Sequence, residues 1–409
     1  MSKSAGIFAG LKVIDCASFI AGPAATTILS DFGADVIKVE PPGIGDPYRF
    51  LYKVSPNPSC DKNYFWQLTN RNKRSIVLNL KQPASVGILQ KLIEQADVFV
   101  VNFPSHVRKA LGLTYDAVSK LNSKIIYADI SGYGEKGPEA EKPGYDVTAY
   151  WARTGLMNAA RDLNSPPAFP IAGIGDHATA STLYGAIVTG LYRRVKTGTG
   201  CHVSTSLIGE GAWAVGGWLQ AALEGAKPAK RIDRTSPNNA LVNNYQTQDN
   251  RWLMLAFVQE EKDWPGLAKA LNKMELLSDK RFTDTKTRRE NAKDLTKILD
   301  EAFSTKPLSY WRDALDKENV VFGIVQTIEE LSSDVQLIQN DIIRPLANDP
   351  GAFTVDSPLK IQEETKVQPG LAPGLGQHTI EILEELGYSS SEIDAFESNG
   401  IISQVKKVA

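Results

Sequence analysis

The chain has 409 residues, 42% hydrophobic and 22% charged, with a formal net charge of −2. That length predicts two or three domains. The near-neutral balance has no basic stripe to suggest nucleic acid as a partner and no acidic tail to suggest a basic one, so no nucleic-acid partner is expected. Three cysteines (Cys16, Cys60, Cys201) stand far apart without CxxC or CxxH spacing, which argues against a disulfide framework and against zinc. The first ten residues lack an apolar h-region and no run of 18 apolar residues occurs. The expected location is the cytoplasm or an organelle matrix, with no membrane partner.

Residues 11–15 read as a short strand, and 23–32 as a helix opened by Gly22-Pro23 and closed by Gly33, Pro just inside the start and Gly just past the end. Further strands are expected at 34–40, 75–80, 96–103 and 124–130, with a helix through Ile88, Leu89, Leu92 and Ile93. Near-continuous apolar strands alternating with helices predict a doubly wound α/β domain whose parallel sheet is covered on both faces. A proline-rich loop (Pro166, Pro167, Pro170) then leads into a long helix with small residues at Ala178, Ser181, Gly185, Ala186 and Gly190. Arg193, Arg194 and Lys196 fill its last turn as partners of the helix dipole, and Cys201–Ser206 alternates like a strand.

From about 225 to 330 the texture changes. Residues 245–255 predict a hairpin turning at Asp249-Asn250. Charged amphipathic helices follow around 259–272, 286–303 and 307–317, then a short strand at 320–325. The expected organisation is a large α/β part over 1–220, a small α+β domain over 225–330, and a C-terminal segment over 335–409 with helices at 380–386 and near 392–397.

A doubly wound domain raises the question of a nicotinamide cofactor. Glu40 ends the second strand about 20 residues after the first turn, where a ribose-binding acid belongs. The turn opposes it: Cys16-Ala17-Ser18-Phe19-Ile20-Ala21-Gly22-Pro23 has one glycine and two bulky residues where GxGxxG would sit. Neither a P-loop nor a GxSxG elbow occurs. The four histidines (His106, His177, His202, His378) form no HxxxH or HExxH pair, so no metal ligand is nominated.

The most informative run is Ala172-Gly173-Ile174-Gly175-Asp176-His177-Ala178. Glycines at 173 and 175 allow a tight turn and close approach of a ligand to backbone, and an acid placed straight after such a turn is presented to a substrate. The bland alternative is a helix N-cap, a role Asp fills well, and local sequence alone favours the cap.

Together with other runs, the motif resembles the family III CoA-transferases, which include formyl-CoA transferases, carnitine CoA-transferases and α-methylacyl-CoA racemases. The resemblance rests on Ile14-Asp15 through Ala21-Gly22-Pro23, Phe32 through Glu40, Asn72-Lys73-Arg74-Ser75-Ile76, Ala96-Asp97-Val98 to Asn102-Phe103, Ser131-Gly132-Tyr133-Gly134, Gly175-Asp176 and Leu375-Gly376-Gln377-His378-Thr379. Gly134-Glu135-Lys136-Gly137-Pro138 and Pro143-Gly144-Tyr145-Asp146 are most similar to transferases acting on 2-hydroxy acids such as phenyllactate or 2-hydroxyisocaproate.

The resemblance implies that CoA moves from an acyl-CoA to a carboxylic acid, with Asp176 as nucleophile. It implies no tightly bound cofactor, coenzyme A entering as substrate. It places CoA contacts at Ala21, Leu78, Lys81, Asn102, Phe103 and, with a one-residue shift, Lys142. Pro41 and Ala110 replace two basic residues of the formyl-CoA transferases, Arg108 or Lys109 being the substitutes for the second. A glycine-run loop that covers the active site in those enzymes is missing from the second domain. The implied fold is a large domain built from both chain ends plus an inserted smaller one, in an interlocked homodimer. Two alternatives stand beside the transferase: an acyl-CoA racemase or epimerase of the same fold, and a non-catalytic CoA-binding protein. Racemases of the family carry a histidine where this chain has Tyr145.

Overall fold

The structure, a computed structural model, describes residues 6–228 and 233–403. The chain forms two compact units, one from residues 1–159, 169–224 and 335–409, the other from 160–168 and 225–334.

The first unit is built on six parallel strands: β1 (Lys12–Cys16), β2 (Asp35–Glu40), β3 (Arg74–Val77), β4 (Val98–Val101), β5 (Ile126–Ser131) and β6 (Cys201–Ser206). Their order is β3-β2-β1-β4-β5-β6. Strand direction of winding reverses between β1 and β4, and in such sheets ligands bind beyond the carboxyl ends of the strands at that switch point. Val13, Val36, Ile76, Val98, Phe99, Val100, Val101 and Ile126 are fully buried, the mark of strands covered on both faces. Two strands are shorter than their apolar runs suggest. β4 stops at Val101 because the Asn102 side chain turns to the neighbouring loop and Pro104 offers no amide for a ladder. β3 stops at Val77, after which Leu78 bridges to Ile402.

The helices that matter here are α1 (Ala21–Asp31), α2 (Tyr48–Leu51), α3 (Tyr64–Asn70), α4 (Pro83–Glu94), α5 (Ser105–Ala110), α6 (Tyr115–Leu121), α7 (Leu156–Ala159) and α8 (Ile174–Thr197). A seven-residue π-helix spans Asp146–Ala152. One face of the sheet is covered by α1 and α8, where Ala21, Ala24, Ala25 and Ala180 let the two helices approach and Leu29, Leu183 and Ile187 fill the core. The other face takes Ile88, Leu89, Leu92 and Ile93 of α4, together with Ile382, Leu383 and Ile393 from helices Thr379–Glu385 and Ser390–Ser398. Burying each such side chain contributes about 1.5–3 kcal/mol. Residues 370–402 are stitched to the first hundred: the Trp66 indole donates to the Pro373 carbonyl at 2.9 Å, and the Ser75 amide to His378 Nδ1 at 3.1 Å.

The second unit contains an antiparallel sheet of strands Val242–Gln246, Trp252–Ala256 and Phe322–Ile324, the hairpin turning through Asn250 at φ 58°. Tyr245, Leu253, Leu255, Leu295, Leu299 and Phe303 form its core. The helix expected over 286–303 is two, Thr285–Glu290 and Ala292–Phe303. Asn291 breaks it, with ψ 24° and its side chain donating to the Thr287 carbonyl at 2.9 Å. Among the described residues no helix is long and apolar enough to cross a membrane.

Candidate active site

The turns after β1, β2, β3, β4 and β5 leave the sheet along one edge. The first, Ala17 to Ile20, crosses the switch point and is held from three sides. Asn102 clamps Ser18 with two hydrogen bonds, accepting from its amide and donating to its carbonyl, both at 2.9 Å. The Lys38 ammonium donates to the Ala17 carbonyl. Asp46 Oδ1 accepts from the Phe19 amide at 3.1 Å and from the Tyr48 amide at 3.0 Å. Phe19 sits at φ 65°, a conformation costing a non-glycine residue about 1–3 kcal/mol unless its surroundings impose it. Its ring meets Tyr145 edge-on, 6.0 Å between centroids. No side chain caps α1, so its first amides, at Ala21 and Gly22, lack intrahelical partners.

The second arm is the start of α8. Gly173 is its N-cap, at φ 96° and ψ −14°, without a side-chain cap of its own. Only glycine occupies that region freely. Its amide donates instead to Asp146 Oδ2 at 2.7 Å, across 27 positions of sequence. Gly175 is required for a different reason. A Cβ there would lie 2.2 Å from Asp146 Oδ1 and 2.3 Å from the Tyr150 ring. Both glycines therefore seat the π-helix against the mouth of α8. Ile20 completes the contact, its Cδ1 3.1 Å from where a Gly173 Cβ would stand. The amino ends of α1 and α8 thus meet.

Asp176 follows at the third helical position. It is not the cap that local sequence favours, since Gly173 and Asp146 share that role. Burial pushes its carboxyl up to about 7, the Asp146 charge adding to the effect, and neither a hydrogen bond nor a cation counters the rise. Asp146 is also raised by burial, opposed by the amides of Gly173, Gly175 and Asp176. The Tyr48 phenol is pushed up by burial and by the nearby Asp176 charge. The site is thus a carboxylate with an elevated proton affinity and no committed partner, beside two helix amino termini that favour negative charge.

Its neighbour His177 points elsewhere. Its side chain lines a separate cavity of about 550 Å³ with Ala24, Thr27, Leu68, Arg71 and Ala180, and burial, with Arg71 adding, lowers its pKa. His106 pairs with Glu141 at 3.1 Å, His202 with Asp129, and His378 accepts from the Ser75 amide.

The remaining residues singled out by sequence divide by what they have left to offer. Ala21 is buried at the first turn of α1. Leu78 has no exposed side chain, so only its backbone reaches the edge. Lys81 is exposed beyond β3. Asn102 holds Ser18, and Phe103 packs half-buried against the sheet core. Lys142 is exposed, 2.7 Å from Glu139 and 5.1 Å from the centre of the Tyr133 ring. Of the two substitutes for the missing basic residue, Arg108 is buried and bonded to Asp129 and Glu135, whereas Lys109 is exposed. Glu40 is not a ribose acid. It is buried and engaged twice by Arg49 at 2.7 Å, by Ser75 Oγ at 2.8 Å and by the Asp46 amide at 3.1 Å. Tyr48 escapes sequence reasoning, and Asp146, though it ends the Pro143-Gly144-Tyr145-Asp146 run, gives no sign there of its bond to the Gly173 amide.

The carboxyl edge of this parallel sheet therefore offers no free acid for a nicotinamide ribose, Glu40 being engaged by Arg49 and Ser75, and sets an uncompensated carboxylate, Asp176, at the start of α8. The chain belongs to CoA-transferase family III, whose profile matches residues 8–379. It is an enzyme of the acyl-CoA:carboxylate transferase type. Over 397 residues it is 34% identical to the (R)-2-hydroxy-4-methylpentanoate CoA-transferase of Clostridioides difficile, spanning 96% of this chain and 98% of that one. Over 404 residues it is 30% identical to the cinnamoyl-CoA:phenyllactate CoA-transferase of Clostridium sporogenes, spanning 98% of each. Among solved structures, a CAIB/BAIF family protein from Brucella suis superposes with a TM-score of 0.83 at 26% identity, over 93% of this chain and 99% of that one.

Proposed function

We propose that the protein moves CoA from an acyl-CoA to a carboxylic acid through covalent intermediates on Asp176, with 2-hydroxy acids as the acceptor class. The observation that carries this reading is the free Asp176 carboxylate, raised to about 7. Raised basicity strengthens an oxygen nucleophile, and above neutral pH the group is anionic. The carboxylate attacks the thioester carbonyl, the C–S bond breaks, and an aspartyl acyl anhydride forms with CoA thiolate released. The thiolate attacks the aspartyl carbonyl, expelling the first acid and leaving an aspartyl-CoA thioester. The acceptor carboxylate repeats both steps in reverse. Each tetrahedral intermediate carries an oxyanion, which the unpaired first-turn amides at Ala21 and Gly22 suit. The acceptor class is supported by the two relatives whose names specify 2-hydroxy acids.

CoA itself lies, in this reading, along the carboxyl edge, with Lys81, Lys109 and Lys142 supplying point charges for phosphates and Ala21, Leu78, Asn102 and Phe103 framing the path. The protein works as a homodimer. In one copy Trp213 is 81% exposed, Trp218 72% and Leu223 73%, an apolar face of the kind that marks a protein interface. A monomer on sizing with light scattering would remove the dimer from this reading.

The decisive experiment is to incubate the enzyme with acyl-CoA and hydroxylamine and map the product by mass spectrometry. A hydroxamate at Asp176 is expected. Turnover without any modified aspartate would end the covalent mechanism. Proton exchange at the α-carbon separates transferase from racemase. Tyr145 stands where racemases of the family carry a histidine, and a phenol is a poorer base than an imidazole, so a chiral 2-methylacyl-CoA in D₂O should keep its α-proton while CoA exchanges.

A further inference from the structure

We propose that Asp146 is a positioning residue for the transfer: it takes the backbone donor that would otherwise tie down Asp176, and it fixes the first turn of α8 from outside the helix. The inference rests on the reading of Asp176 as the reacting carboxylate.

An acid at the third helical position has a natural partner in its own helix. In the capping box, the side chain there reaches back to the amide of the N-cap residue. Asp176 holds that position and Gly173 is the N-cap, so an unaided α8 would draw the Asp176 carboxylate onto the Gly173 amide. Asp146 Oδ2 occupies that amide at 2.7 Å. The same carboxylate faces the Gly175 and Asp176 amides, which favour its charge, while the one hydrogen bond it makes answers the Gly173 donor that a helix start leaves open. The absent side chain of Gly175 makes room for it, since any Cβ would collide with Asp146 Oδ1. Asp146 is itself 4% exposed and held at the first turn of the π-helix, whose Tyr150 packs on the same glycine. A capping acid brought in from a distant segment leaves the helix's own acid free.

The device also sets the charge around Asp176. The titratable groups bearing on it are Asp146 from the π-helix and Tyr48 from α2, with Tyr150 beside Asp146. His177, on the same helix, turns to the other cavity. Asp146 is therefore the group whose charge opposes ionisation of Asp176, and no bonded cation offsets it.

Two variants separate position from charge. Asp146→Asn keeps an acceptor oxygen for the Gly173 amide but loses the charge, while Asp146→Ala loses both. Asp146→Ala should lower kcat about 100-fold, the scale of a misplaced reacting group, with KM for acyl-CoA within about threefold of wild type. Asp146→Asn should retain most of kcat. In both, the acid limb of the kcat/KM profile should move to lower pH, because the like charge beside Asp176 is gone. Hydroxylamine should still trap Asp176, more slowly in Asp146→Ala. If kcat per folded molecule is unchanged in Asp146→Ala, or if neither acid limb moves, Asp146 is only structural and the inference fails. Should the alanine variant not fold, the pH limb of Asp146→Asn decides alone. Absence of a hydroxamate in the wild-type enzyme sinks the Asp176 reading itself, a separate outcome.

Discussion

Two clusters of buried acids stand at the same end of the parallel sheet and are treated in opposite ways. In the first, burial raises Asp15, but Lys38 and Lys73 outweigh it and hold the carboxyl below its usual range. Burial likewise raises Glu40, and the paired bonds from Arg49 bring it down. Lys73 alone meets Asp15, the Pro23 and Thr69 carbonyls and Asn70, at 2.8 to 3.0 Å. In the second cluster, Asp146 and Asp176 have only backbone amides and each other, and both are raised. The first cluster is neutralised and serves the fold. The second is left uncompensated, which costs stability and keeps a carboxylate available for chemistry.

The largest effect expected from this contrast is on turnover. Asp176→Ala should reduce kcat by roughly 10³-fold or more, as loss of a nucleophile does, while circular dichroism and CoA binding stay near wild type. Turnover within tenfold of wild type would place the chemistry elsewhere.

Next comes the neutralised cluster, where the loss appears in stability. Asp15→Asn takes the carboxylate from the buried Lys73 ammonium, while Lys38 keeps Asp46 at 3.1 Å, at a cost of about 3–5 kcal/mol near pH 7. The folded-state pKa of Asp15 lies below its unfolded value, so its stabilisation is present above pH ~4 and lost as pH falls through the folded value. In urea titrations the gap between variant and wild type should therefore narrow on acidification. A gap that stays constant with pH would mean packing, not charge.

Asp176 carries the opposite sign. Its folded-state pKa, about 7, lies above the unfolded ~3.9, so the folded state holds more protons between these values and stability falls as pH rises through that window. Asp176→Asn removes the penalty. A full shift corresponds to ~4 kcal/mol at 1.36 kcal/mol per unit, and residual contact with water halves it to about 2 kcal/mol. The variant should gain that much at pH 8 and nothing at pH 4. A destabilised variant at pH 8 would show that the carboxylate has a partner after all.

The smallest effect is expected at the rim. Lys81→Ala and Lys142→Ala should each raise KM for acyl-CoA about fivefold with kcat unchanged, the scale of an exposed ion pair. Unaltered KM in both would move the CoA path away from these lysines.

How far the sequence carried this contrast depends on the range of the interactions. The parallel sheet was legible because both-face burial writes itself into continuous apolar runs such as 98–101. The turn before Asp176 was legible because glycine at φ 96° leaves a mark in one residue. The capping role of Asp146 left none, since a bond across 27 positions obeys no spacing rule. Glu40 is ambiguous in sequence for the converse reason: its place at the end of β2 fits a ribose ligand, the turn after β1 argues against one, and only the fold brings Arg49 and Ser75 onto it. Asn102 shows a third case: its place at the carboxyl edge was legible, its two bonds to Ser18 were not.

The joining of residues 370–402 to the first hundred has a consequence for biogenesis. β3 lies at one end of the sheet, and its outer side is reached by Leu78 pairing with Ile402, by Thr379 taking the Val77 amide at 3.2 Å, and by the Ile401 carbonyl taking the Asn79 amide at 2.9 Å. Those partners leave the ribosome some 300 residues after the strand they cover. Throughout that interval the nascent chain shows an apolar strand with an open margin, the feature that invites pairing with another chain. The enzyme's early life therefore favours chaperone attendance on the amino-terminal part, and truncation near residue 370 should send the product to inclusion bodies rather than to a smaller folded core.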